Sequence, residues 1–144
     1  MSKRLKITFY ILLGLYIILI LSSWDAIYSF SKMLGAVEAI KKSSIFYQII
    51  IVILAFLMFK KKKIALPISF VLMFYWLVTM PGIGVNREGL GAIIYIYNSF
   101  INGFWQTFFL LLSSWLIPIV SLVGCIYWYL DVKKSKSLDK HWSE

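Results

Sequence analysis

Long apolar runs alternate along the chain with short basic clusters. The first run, ITFYILLGLYIILILSSW from Ile7 to Trp24, holds 18 residues. As a helix it covers roughly 27 Å, close to the ~30 Å hydrocarbon core of a bilayer. Its ending LSSWD lacks a small-x-small cleavage word, so it reads as a retained first helix rather than a signal peptide. The second run, Ile45 to Phe59, has only 15 residues. It needs Ser43, Ser44 and snorkelling by Lys42 and Lys60 to reach both interfaces. The third, Ile64 to Met80, carries Pro67 in its first turn, where a missing amide donor costs little, and stops at Pro81 and Gly82. From Gly89 to Leu130, 42 positions pass without a charged residue, too many for one upright span. A division near Asn102 and Gly103 leaves Phe104 to Leu130 as a fourth span, tilted or kinked at Pro118. Residues 86–103 then lie on the outer membrane surface or re-enter it partway.

Between the first two spans, Ile27, Phe30, Leu34 and Val37 recur at helical spacing, with Met33 and Ile40 alongside. This predicts an amphipathic outer helix over about 25–42, capped by Asp25 and closed by Lys41 and Lys42, which suit the negative end of its dipole. Its apolar stripe rests on the bilayer or packs on the bundle, or else presents a docking surface on the outer face, with Lys32, Lys41 and Lys42 as the charges at hand. Asn98, Asn102 and Gln106 follow each other at spacings of four, a pattern that puts three amides on one helical face. Such a stripe in an apolar stretch serves helix association, or, as the alternative, lines a permeation path. The adjacent Arg87 and Glu88 read as a solvated turn rather than a catalytic pair.

Charge fixes the orientation. Positive residues accumulate on the cytoplasmic side of membrane proteins. With four spans, Lys3, Arg4, Lys6, the run Lys60, Lys61, Lys62, Lys63, and the cluster Lys133, Lys134, Lys136 and Lys140 all fall inside. Only Lys32, Lys41, Lys42 and Arg87 stay outside. Both termini are therefore expected in the cytoplasm, and a fifth span over the Gly89 region is excluded because it would move the C-terminal lysines out. The fold class is an all-α membrane protein, a single membrane domain of four transmembrane helices with amphipathic segments on the outer face, multi-pass in a cell inner membrane.

Composition agrees with membrane residence: 61% of the 144 residues are hydrophobic, 18% aromatic and only 15% charged. The net charge of +9 sits in clusters at span ends rather than along one face, so it argues topology and not nucleic acid. One cysteine, Cys125, and one histidine, His141, exclude a disulfide framework and a bis-histidine haem within one chain, and argue against a zinc site. No ionisable Asp, Glu, Lys, Arg or His lies inside the four spans, where such residues mark proton relays and coupled transport. Ser113, Ser114 and Cys125 have no base near them in sequence, and GLG at Gly89 to Gly91 lacks the spacing of a phosphate loop. The expectation is a protein without catalysis, cofactor or metal.

Small residues mark places where helices can approach closely: Gly14 in the first span, and Ser121, Gly124 and Cys125 in the fourth. They serve packing within the bundle or contact with another chain. Trp24, Trp76, Trp105 and Trp128 fall near span ends, as an interfacial aromatic belt requires.

This layout resembles, in topology and composition over the whole chain, the four-span immunity proteins that protect bacteria against pore-forming, colicin-type toxins. The resemblance implies binding of the toxin's membrane-inserted helices by the protein's own helices and outer loops. The corresponding surfaces here are the helix from Ile27 to Ile40 and the segment from Gly89 to Gln106. FKKKKIALP and Trp115-Leu116-Ile117-Pro118 also look like an uncharacterised family of four-span inner-membrane proteins. In that family a Ser-Lys-Arg word follows the last span, whereas here it opens the chain as SKRLKITF. The expected function is protein–protein binding in or at the outer face of the bilayer, as an immunity-like protein or a subunit of a membrane complex. The partner is another membrane protein, an inserted toxin or further copies of the chain. The alternative is a small oligomeric channel or facilitator.

Overall fold

The computed structural model describes residues 1–35, 45–79 and 97–141, and among them it is helical throughout, without strands. Four long helices are present: α1 over Lys3–Leu34, α2 over Ile45–Phe59, α3 over Ala65–Thr79 and α4 over Trp105–His141.

The 32 residues of α1 extend about 48 Å. Ser2 caps its start by accepting the Leu5 amide at 3.3 Å, and Gly35, at φ 85, ends it. This corrects the expectation of a separate outer helix capped by Asp25, because α1 runs through Trp24 and Asp25 without a break. The reason is local. Ser23 donates its hydroxyl to the Leu19 carbonyl at 2.7 Å, within the helix, and no glycine or proline intervenes before Gly35.

α1 buries Leu5, Phe9, Leu12, Tyr16 and Leu19, a stripe with alternating spacings of four and three. That period of 3.5 keeps one seam facing the neighbours over about four turns. Against it lie Ile51, Leu54, Ala55 and Met58 of α2, Ala65, Leu66 and Met73 of α3, and Ile117 of α4. α1 packs most extensively on α4 and also on α2, while α3 packs on α4 and less on α2. α1 and α4 are antiparallel. Ser2 meets Asp131 at one end, and Gln106 reaches the Ser22 carbonyl at the other.

The lysine run makes the α2–α3 turn. Lys61, at φ 53, adopts the left-handed conformation, its amide donating to the Met58 carbonyl at 2.9 Å, while the Lys62 amide donates to Leu57 at 3.0 Å. These two bonds close α2 in the pattern usually given to glycine. The amides of Ala65 and Leu66 then bond back to Lys62 and Lys63 and start α3. Residues 97–101 form a short helical piece that a turn at Asn102 and Gly103, with Gly103 at φ 72, separates from α4. α4 continues through Pro118 and, past Leu130, to His141. Two helical stretches, Lys3–Trp24 and Trp105–Ser135, are long and apolar enough to cross a membrane.

Candidate functional site

Two ends of the bundle carry the side chains that matter. At the first end, three clusters far apart in sequence converge. The Ser2 amide donates to Asp131 Oδ2 at 2.9 Å, and Lys61 Nζ donates to the Tyr10 hydroxyl at 2.8 Å while lying 4.7 Å from the centre of that ring. Lys60 lies near the rings of Phe56 and Phe59, at 5.6 and 6.0 Å from their centres. In each of these contacts the ammonium itself lies by an aromatic ring, a cation–π arrangement. Lys3, Arg4, Lys6, Lys60, Lys62, Lys63, Lys133 and Lys134 are all exposed around this end. Asp131 follows directly on the uncharged stretch that ends at Leu130. Hydrogen bonding from the Ser2 backbone, aided by its hydroxyl and by the charge of Lys63, holds the carboxyl below the ordinary aspartate value. Ser2, Lys63, Asp131, Val132, Lys134 and Ser135 surround a notch of about 630 Å³ here.

At the opposite end, exposed aromatic residues gather around the turn before α4. Phe100 meets Trp105 edge-on at 5.3 Å and Phe108 at 5.2 Å, and Trp105 meets Phe109 at 6.4 Å. Tyr97, Ile101 and Phe104 are each about 60% exposed beside them. This cluster was visible in the sequence only as scattered aromatics, because the turn at Asn102 and Gly103 is what folds Phe100 back onto Trp105 and Phe108.

The three amides do not form one stripe. Asn98 and Asn102 are exposed on the piece before the turn, and Asn102 donates to the Asn98 carbonyl at 2.8 Å. Gln106 lies beyond the turn on α4 and donates to Ser22 of α1 at 3.3 Å. The reason for the correction is Gly103, whose left-handed backbone breaks the helical register between Asn102 and Gln106. Lys32 is exposed on α1, 4.5 Å from the ring centre of Tyr28. Ile27, Phe30 and Leu34 also belong to α1, their side chains lying outside the described residues, as do Val37, Lys41 and Lys42 altogether.

The small residues divide. A Cβ added at Gly124 would come 2.8 Å from Leu66 Cδ2 and 3.0 Å from Thr8 Cγ2, so α4 approaches α1 and α3 closely here. Ser121 is fully buried and Cys125 packs against the core. Gly14, by contrast, is exposed, and a Cβ there would meet nothing within 4 Å. Its place in the buried seam is taken by Leu12 and Tyr16, two residues to either side, so it makes no close helix approach within this chain.

The middle of the bundle holds a polar feature assembled from three helices. The hydroxyls of Tyr16 on α1 and Ser69 on α3 are hydrogen-bonded, and Ser69 bonds in turn to Ser121 on α4 at 2.9 Å. All three residues are fully buried. Ser121 stands out in the sequence as a small residue for helix packing, and Ser69 could have drawn notice as a polar residue inside the third apolar run. Its partners are set by packing. Nearby, Ser113 and Ser114 return their hydroxyls to carbonyls of their own helix, so they offer no free nucleophile. Among the described residues no three His, Cys, Asp or Glu side chains group as a metal site would require. No protein-family model, no curated protein and no solved structure matches this chain.

Proposed function

We propose that the chain is a four-span inner-membrane protein with both termini cytoplasmic, acting by non-catalytic binding to another membrane protein. Convergence of the basic clusters carries the topological part. The amino-terminal cluster, the Lys60–Lys63 turn and the lysines after Leu130 meet at one end of the bundle, which is the arrangement that two hairpins crossing a bilayer with a cytoplasmic basic face require. Tyr10, Leu21, Phe56, Val71, Tyr75 and Ile126, on all four helices, are each more than half exposed. So much outward apolar surface suits lipid as solvent. At 15 residues each, α2 and α3 reach about 23 Å and span with the help of snorkelling lysines and a locally thinned bilayer.

The binding part rests on the outer-end aromatic cluster. Phe100, Phe104 and Trp105 together with the exposed amides of Asn98 and Asn102 form a surface suited to an apolar helix with some polar groups, as in an immunity-like or accessory-subunit role. The bundle axis is filled by Phe9, Leu12, Tyr16, Leu66 and Ile117, so a permeation path could run only between copies of the chain. The test is purification from the native membrane in mild detergent, with the mass of the intact particle measured for the wild type and for the double variant Phe100→Ala, Trp105→Ala. A stoichiometric partner that the variant loses is expected. A particle containing only this chain, in either form, would refute the binding reading.

A further inference from the structure

The notch at the basic end is more than a diffuse patch of charge. Its walls come from three separate segments: Ser2 at the cap of α1, Lys63 at the α2–α3 turn, and Asp131, Lys134 and Ser135 on α4 just past the apolar stretch. It opens at the level where apolar span residues give way to lysines, which in the membrane reading is the depth of lipid phosphates. Among the described residues, Lys63, Lys134 and the Met1 amino terminus face one carboxylate, and that carboxylate already accepts the Ser2 amide through Oδ2. The start of α1 adds the positive end of a 32-residue helix dipole. A volume of about 630 Å³ exceeds what a single phosphate fills and leaves room for a glycerol-sized group beside it.

We infer that this notch is a binding site for the headgroup of an anionic phospholipid, its phosphate held between Lys63 and Lys134 and its polar alcohol beside Ser135. The inference rests on the membrane reading but commits to particular lysines. Lys60 and Lys133 belong to the same basic end and do not line the notch, so they provide a control of equal charge. A lysine close enough to touch the phosphate strengthens anionic-lipid binding about five-fold, or about twenty-five-fold for two, whereas one outside the notch acts only through the field that water and salt screen.

The full chain, purified in a non-ionic detergent, is titrated with short-chain phosphatidylglycerol and followed by native mass spectrometry. The variant K63Q/K134Q is expected to bind about twenty-five-fold more weakly than wild type, and K60Q/K133Q within about three-fold of it. Asp131→Asn is expected to leave binding unchanged or tighten it, since it removes the negative charge of the carboxylate that lines the notch. Equal losses in the two lysine pairs would overturn the site in favour of a general surface field. Equal binding of phosphatidylcholine would overturn its preference for negative charge. Preference for phosphatidylethanolamine, weakened by Asp131→Asn, would replace the anionic ligand with an ammonium-bearing one. Inorganic phosphate competing at equal concentration would reduce the site to a phosphate site. The membrane reading fails separately, if alkaline carbonate releases the chain from native membranes.

Discussion

The buried hydroxyl chain gives the sharpest quantitative test of how this bundle is held. Ser69 stands between Tyr16 and Ser121, and none of the three is measurably exposed. Ser69→Ala therefore strands the Tyr16 hydroxyl without water to replace the lost partner, a penalty of about 1–3 kcal/mol. Tyr16→Phe removes the stranded group itself and leaves Ser69 bonded to Ser121, so it costs only about 1 kcal/mol. Simple addition gives the double variant a loss of about 3 kcal/mol. The geometry instead predicts about 1.5, because once Tyr16 is Phe, Ser69→Ala strands only Ser121, whose hydroxyl can turn to a carbonyl of its own helix as those of Ser113 and Ser114 do. The coupling of about 1.5 kcal/mol would fall toward ~0.6 if the denatured chain keeps its helices in detergent and finds other partners. The assay is a double-mutant cycle on reversible unfolding in mixed micelles, followed by tyrosine fluorescence and circular dichroism. Additivity within about 0.3 kcal/mol would refute the claim that these hydroxyls interact.

Gly124→Leu is expected to destabilise the bundle by about 2 kcal/mol or more, because Thr8, tied to the Arg4 carbonyl at 3.1 Å, cannot yield. Gly124→Ala should cost less than Leu, since the flexible end of Leu66 can move and helix propensity returns up to about 1 kcal/mol against the remaining Thr8 contact at 3.0 Å; thermal unfolding separates the two variants. At Lys61, Gly relieves a left-handed backbone worth about 1 kcal/mol but forfeits the contact with Tyr10, whereas Val is expected to lose more than about 1 kcal/mol. A Val variant as stable as wild type would contradict the turn geometry. Asp131 titrates lower when folded, so its contribution to joining α1 and α4 is complete above the ordinary aspartate value and is lost as pH falls below it. Amide exchange at Ser2 should accelerate in that acid range in wild type and be independent of pH, beyond intrinsic chemistry, in Asp131→Asn.

Much of the architecture is written in the chain. The uncharged, mainly apolar runs from Ile45 to Phe59 and from Ala65 onward form helices, because an apolar solvent or core leaves backbone amides no other partner. The lysines between them mark a turn, and the small residues Ser121 and Gly124 mark a close approach. Helix ends were harder to read. Ser22, Ser23 and Asp25 look like a stop and a cap, yet a serine hydroxyl can bond either forward as a cap or back to its own helix, and Ser23 bonds back to Leu19.

What only the tertiary structure decided is which distant residues meet. Nothing in their own runs links Tyr16, Ser69 and Ser121, and they become a network because the seams of α1, α3 and α4 face one another at one height. Ser2, Lys63 and Lys134 form a notch only because α1 and α4 are antiparallel and the α2–α3 turn closes against them. The sequence by itself determined helices, apolar surface and a basic side, since these follow from local periodicity and solvent preference. Pairings across more than fifty residues follow from packing of whole helix faces, and no local pattern encodes them.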